Sequence, residues 1–295
     1  MFIGDLYAIG AGLFWSVAVI LMRVSGFQIP PLPLNFFKNS VGLACLAVLL
    51  LVQGESWLPE LGEGAYLRLI ASGVLGISIA DVMIAAALNR LGASMQALAD
   101  CAYSPAIAAV GFLAFGETLS TWELFGGALV ISGVFVGAAM TTEIKSKRDL
   151  WTGIVLAASA HILMAVAVLM IRDIYRESSL VWVTGVRFLI ANAGLLVWAA
   201  LRYGKRMPEK LLVGFRRRDT WITMIPMAFM GTFVATLFWI AGFKYLAAGR
   251  AAIYNQLSTV FIILLAYVFL HEKFTLRKSI GTLLAVAGAL CVALH

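Results

Sequence analysis

Two carboxylates and an imidazole stand in stretches of this chain that are otherwise without charge. Asp81 follows Ser78 in Gly76-Ile77-Ser78-Ile79-Ala80-Asp81, Asp100 lies in Leu98-Ala99-Asp100-Cys101-Ala102-Tyr103, and His161 interrupts a run of small and apolar residues. A carboxylate in such surroundings takes a coupling proton, holds a substrate ammonium, or bonds to a neighbouring helix. An imidazole titrates near neutrality and suits a proton relay, or it stays neutral and hydrogen-bonded beside a cavity. Trp15, Tyr103, Trp239 and Tyr254 each offer a flat face with a polar edge, suited to stacking on aromatic or apolar groups. Tyr254-Asn255-Gln256 adds donors and acceptors able to orient an amino-acid backbone. The candidate substrate-binding set is therefore Trp15, Ser78, Asp81, Asp100, Tyr103, His161, Trp239, Tyr254, Asn255 and Gln256. Lys38 and Arg187 form a basic pair, read as snorkelling or ion-paired side chains ahead of ligands for a substrate carboxylate. HExxH, GxSxG and clustered His/Cys/Asp sets are all missing, so no catalytic residue, metal or cofactor is expected. Cys45, Cys101 and Cys291 lie in apolar runs far from any CxxC spacing, which argues against disulfides and zinc.

The elements that carry these residues must be membrane helices. Hydrophobic residues make up 62% of the 295 and charged residues 13%, with a mean hydropathy of +0.96. A soluble core of this size has no room for that much apolar surface, whereas a bilayer solvates it. Apolar segments of about twenty residues recur, and ten are expected: near 4–24, 34–52, 65–88, 93–115, 121–140, 150–172, 179–201, 219–243, 249–270 and 276–294. The first is read as a span rather than a signal peptide. It has no basic leader, carries Asp5, and shows Phe14-Trp15 where a cleavage site would need small residues. Pro30-Pro31-Leu32-Pro33 is expected to exclude helix between the first two spans. Ser120 and Glu123 have capping-box spacing, and Thr275 is placed to cap the last span.

The chain also repeats itself. A constant offset of 155 positions carries Glu117 onto Glu272, Gly126 onto Gly281, Gly133 onto Gly288 and Ser120 onto Thr275. The same offset sets Asp100 on Asn255 and Asp81 on Thr236. Two repeats are expected, 1–144 and 145–295, each of five spans. An odd number of spans inserts the second copy upside down, the arrangement that supports alternating access. Assigning the 22 Lys and Arg to alternate sides puts sixteen on one face and five on the other, with Arg187 inside a span. The sixteen-charge face should be cytoplasmic and both termini outside. The net charge of +7 is therefore read as positive-inside loops, chiefly the basic loop 202–219, rather than a nucleic-acid surface.

Gly116-Glu117-x-hydrophobic-Ser120 ahead of a Gly-bearing helix, with its partner at Glu272–Thr275, resembles the drug/metabolite transporter superfamily in its EamA-type branch. Trp15-Ser16 and Leu91-Gly92-Ala93 fit that branch, and the pattern is most similar to bacterial amino-acid exporters of the YddG type. The resemblance covers essentially the whole chain. It implies an all-α polytopic protein of ten helices in two inverted repeats, sited in a bacterial-type inner membrane. It further implies export of a small metabolite, amino acids first, through a cavity lined by spans one, three, four, six, eight and nine. The last helix of each half would serve as scaffold. The expected partners are the substrate, the bilayer and, as coupling ion, protons. The alternatives on the same fold are export of purines, organic cations or other small metabolites, and antiport of phosphorylated metabolites. Few deep cations weigh against the last.

Overall fold

The computed structural model describes residues 3–54, 62, 64–116, 118, 120–139, 146–246, 248–273 and 276–294. Within them the side chains at 115, 138–139, 243, 248–256, 277 and 292–294 lie outside the description. Helices and short connections account for the described residues, with no strand among them. The long helices are α1 (Ile3–Gly26), α2 (Pro31–Gln53), α3 (Ala65–Leu91) and α4, in two pieces, Ala93–Asp100 and Tyr103–Phe115. They continue as α5 (Thr121–Ala139), α6 (Lys147–Leu169), α7 (Leu180–Tyr203), α8 (221–245), α9 (Ala248–Leu270) and α10 (Leu276–Leu294). Among the described residues seven helices are long and apolar enough to cross a membrane. The other three apolar stretches, Thr121–Gly137, Leu257–Leu270 and Lys278–Cys291, are shorter.

Local chemistry sets most boundaries. α2 begins at Pro31, three residues earlier than the proline cluster suggested. Proline is costly inside a helix but not in the first turn, where its missing N–H has no intrahelical partner anyway. α5 starts on a complete capping box: Glu123 N donates to Ser120 Oγ at 3.2 Å and Ser120 N donates to Glu123 Oε2 at 2.6 Å. Thr275, its expected counterpart, lies outside the described residues. The basic stretch after α7 is folded rather than a loop. Four short helical turns run from Gly204 to Thr220, Leu211 is fully buried, and Trp221 Nε1 donates to Gly214 O at 3.0 Å. Its apolar residues alternate with its charges, so it can pack one face under α2 and α8 and keep the cations outside.

α5 and α10 are each other's principal partner. A Cβ at Gly133 would lie 2.6 Å from Gly281 O and 2.7 Å from Ala285 N, and one at Gly288 would lie 2.5 Å from Gly126 O. As residue numbers fall along α5 they rise along α10, so the two helices run antiparallel. Small residues let backbones touch where hydrocarbon supplies no hydrophobic drive for association.

One end of the bundle holds a shared packing layer. Ile29, Phe37, Leu88, Met224, Met227, Ile263 and Ala266 belong to one buried cluster there. At the same end Gly92 turns the chain between α3 and α4 with φ +77°. Glu272, just past α9, accepts Ala93 N at 2.8 Å and Ser94 N at 3.0 Å. Arg23 of α1 donates to Leu88 O at 3.0 Å and Asn89 O at 2.8 Å. An anion thus sits on a helix start and a cation on a helix finish, each against the end of the dipole that favours it. At the opposite end Arg68 makes a two-pronged ion pair with Asp173 at 2.8 and 2.7 Å.

Candidate functional site

The polar groups inside the bundle converge on one cavity of about 170 Å³. Its walls come from α1 through α4 and α6 through α9, while among the described residues α5 and α10 supply none to the lining. Two helices bring their residues to the wall through π-helical turns, Val74–Ile79 in α3 and Ala228–Ala235 in α8. These occupy equivalent places under the 155-residue offset. A π turn adds a residue to the helical circuit and rotates the next turn about the axis, and such turns gather at functional sites. Here they precede Asp81 and Thr236, both on the lining.

On one wall α4 breaks at Cys101–Ala102, directly after Asp100. Asp100 Oδ1 accepts Gln96 Nε2 at 2.6 Å and meets His161 Nε2 of α6 at 2.8 Å. Oδ2 makes no hydrogen bond among the described residues, so one carboxylate oxygen stays available. His161 is 5% exposed and its Nδ1 has no hydrogen-bond partner. Tyr103 stands over this pair, its ring centroid 5.8 Å from His161 and 6.4 Å from Trp239. The contact puts a carboxylate and an imidazole within hydrogen-bond reach of each other on the cavity wall.

On the other wall Lys38 Nζ donates to Asp81 Oδ2 at 2.6 Å and to Asn39 Oδ1 at 3.0 Å. Arg187 lies beside them, 5% exposed and on the lining. Trp15 of α1, Met164 of α6 and Thr232 of α8 complete the apolar surround.

Six of the sequence candidates, Trp15, Asp81, Asp100, Tyr103, His161 and Trp239, line this cavity together. Ser78 is not on it. It is buried, and its hydroxyl donates to Ala191 O of α7 at 2.9 Å. Gly194 lets the two helices close on that hydroxyl, where a Cβ would lie 2.5 Å from Ser78 Oγ. The side chains of Tyr254, Asn255 and Gln256 lie outside the described residues. The expected lining omitted α2 and α7, which contribute Lys38, Arg187 and Phe188. The one sequence signal for them was the matched position of Lys38 and Arg187 in the two halves.

A model of the EamA-like transporter family matches the chain twice, over residues 2–138 and 151–294. A protein of Archaeoglobus fulgidus described as an uncharacterized transporter is 26% identical over 140 residues, 45% of this chain. The match spans 47% of that relative, about half its length. A solved crystal structure superposes with a TM-score of 0.71 at 19% identity, covering 99% of this chain and 96% of that one, which shows a common fold. One family model accounts for both halves, and the helices enclose a largely apolar cavity that carries a few charged and polar groups. The chain belongs to the EamA-like transporter family of the drug/metabolite superfamily, a family of transporters rather than of enzymes, and its apolar helices are those of a multi-pass membrane protein.

Proposed function

We propose that the chain is a secondary active exporter of small metabolites, amino acids with aromatic or apolar side chains first, driven by a proton gradient. The observation that carries this is the Asp100–His161 pair at 2.8 Å on the cavity wall, under the rings of Tyr103 and Trp239. An acid and an imidazole in contact hold a transferable proton beside the substrate. The aromatic rings provide the face on which an apolar or aromatic side chain stacks. The cavity, about 170 Å³, is smaller than the roughly 300–1,000 Å³ typical of drug-sized ligands, which favours a metabolite over a bulky drug. Lys38 is committed to Asp81, which leaves too little free positive charge for a dianionic phosphate ester.

Substrate binds between two inverted five-helix repeats, 1–144 and 145–295, that alternate access between the two faces. The paired family matches, the antiparallel α5–α10 contact and the equivalent π turns support this arrangement. The basic turns at 204–220 face the cytoplasm of a bacterial-type inner membrane, with both termini outside.

The test is proteoliposome transport of labelled phenylalanine under an imposed pH gradient. The reading expects gradient-dependent accumulation, collapsed by a protonophore. Exchange of sugar phosphates with no movement of amino acids would replace it with a phosphate antiporter.

A further inference from the structure

Arg187 is a buried cation that forms no hydrogen bond with any described residue. Its guanidinium is 5% exposed, it lines the cavity from α7, and its Nε is sealed from solvent with no hydrogen-bond partner. A guanidinium has five N–H donors in a planar fork, and leaving them unmatched away from water is costly. The other charged groups on the lining are already engaged: Lys38 bonds Asp81 and Asn39, and Asp100 bonds Gln96 and His161. Asp81, on the same wall, makes no ion pair with Arg187 among the described residues. A second unmatched donor belongs to the same cavity lining. The Tyr103 hydroxyl is buried, lines the same cavity and likewise has no hydrogen-bond partner.

We infer that Arg187, helped by the Tyr103 hydroxyl on the same cavity lining, is the anchor for a substrate carboxylate. A carboxylate presents two oxygens in a plane, which the guanidinium fork matches in a two-pronged bond while the phenol donates from the side. One uncommitted cation fits one negative charge, which selects monocarboxylates over phosphate esters. The open Oδ2 of Asp100 would then receive the ammonium of the same substrate, so that a zwitterion satisfies both walls and a molecule lacking either charge leaves one unmatched. A site built to hydrogen-bond one group rejects analogues without it far more strongly than an apolar pocket rejects a missing methylene. The substrate's class rests on the transport reading above; the anion site itself does not.

The experiment measures ligand binding to the purified full-length protein, by thermal stabilisation and tryptophan fluorescence, with four related probes. Phenylalanine carries both charges, 3-phenylpropionate only the carboxylate, and phenylalanine amide and phenethylamine only the ammonium. Wild type should bind phenylalanine at least about tenfold more tightly than its amide, and should bind 3-phenylpropionate. In Arg187→Gln the acid and the amide should converge to within about twofold and 3-phenylpropionate binding should vanish. Arg187→Lys, which keeps the charge and loses the fork, should fall between. A purely structural arginine predicts a less stable variant with an unchanged acid-to-amide ratio, and that result overturns the inference. If Arg187→Gln does not fold, the wild-type series decides: equal binding of acid and amide overturns the anchor. Wild type that binds 3-phenylpropionate through Arg187 but neither binds nor moves phenylalanine keeps the anion site and rejects the amino-acid reading.

Discussion

At the scale of the residue, the same chemical group does different work according to what it already holds. Asp81 and Asp100 are both carboxylates on the cavity lining, yet Asp81 is bound to a fixed cation and Asp100 to an imidazole and an amide. Removing the charge at Asp81 would strand a buried lysine, whereas Asp100 is paired with no lysine or arginine. Asp100→Asn should therefore fold and still exchange substrate downhill, with weaker affinity because the ammonium loses its anionic partner, while losing accumulation against a gradient by about tenfold or more. Uphill transport and exchange, measured side by side under an imposed pH gradient, decide the point. Accumulation at the wild-type level would make Asp100 a helix contact. Ser78 gives the opposite expectation. Its hydroxyl joins α3 to Ala191 O, so Ser78→Ala should lower stability by about 1 kcal/mol in an unfolding assay and leave substrate affinity alone.

At the scale of the element, glycine spacing and caps determine how the helices meet. Gly133 faces backbone on α10, which cannot move aside as a side chain can, so Gly133→Val should destabilise by about 1–3 kcal/mol. Gly127→Ala, where the nearest atom to a new Cβ is 3.7 Å away at Pro105, should be tolerated, and thermal unfolding of both variants in detergent separates them. These helices were legible in advance because length, apolar content, caps and paired glycines are local properties. What the residues could not announce was partnership. Ser78 and Asp81 look alike as polar intruders in one apolar stretch; a π turn and the position of α7 send one into a helix crossing and the other to the cavity. Trp182, near the start of α7, is 2% exposed beside Tyr66 of α3, a burial its own sequence neighbours do not announce. Arg187 could be matched with Lys38 by sequence, but its lack of a partner is a property of the assembled cavity.

At the scale of the whole molecule, the two ends carry different fastenings. The Arg68–Asp173 pair lies at one end with both side chains more than a third exposed. The Arg68 hydrogen bonds, foremost, hold the Asp173 carboxyl below the usual carboxylate range. A depressed carboxylate contributes stability above its unfolded pKa of about 4 and loses it as pH falls through the lower folded value. Solvent screening limits that contribution to at most about 1 kcal/mol. Asp173→Asn should thus shift the melting temperature slightly at pH 7 and not at all near pH 2. Sidedness is tested at Lys205, which is exposed; Gly214 is packed against Met224 and Phe37 and is a poor labelling site. A cysteine at Lys205 should react with impermeant thiol reagents only from the cytoplasmic side, and labelling from outside would invert every assigned face.

The carboxylate of Glu272 on the first two N–H groups of α4 also has a kinetic meaning. Separating α9 from α4 at that end must expose both N–H groups and the anion together, at a cost of about 0.5–2 kcal/mol, the range for a lost helix cap. That cost appears as occupancy: removing the cap enriches the separated state by roughly twofold to thirtyfold. On the proposed alternating-access cycle Glu272 would set the dwell time of that end, and Glu272→Ala should trade thermal stability for faster turnover when opening limits the cycle. Single-molecule distance traces across α4 and α9 would show it as shorter closed dwells with an unchanged substrate preference.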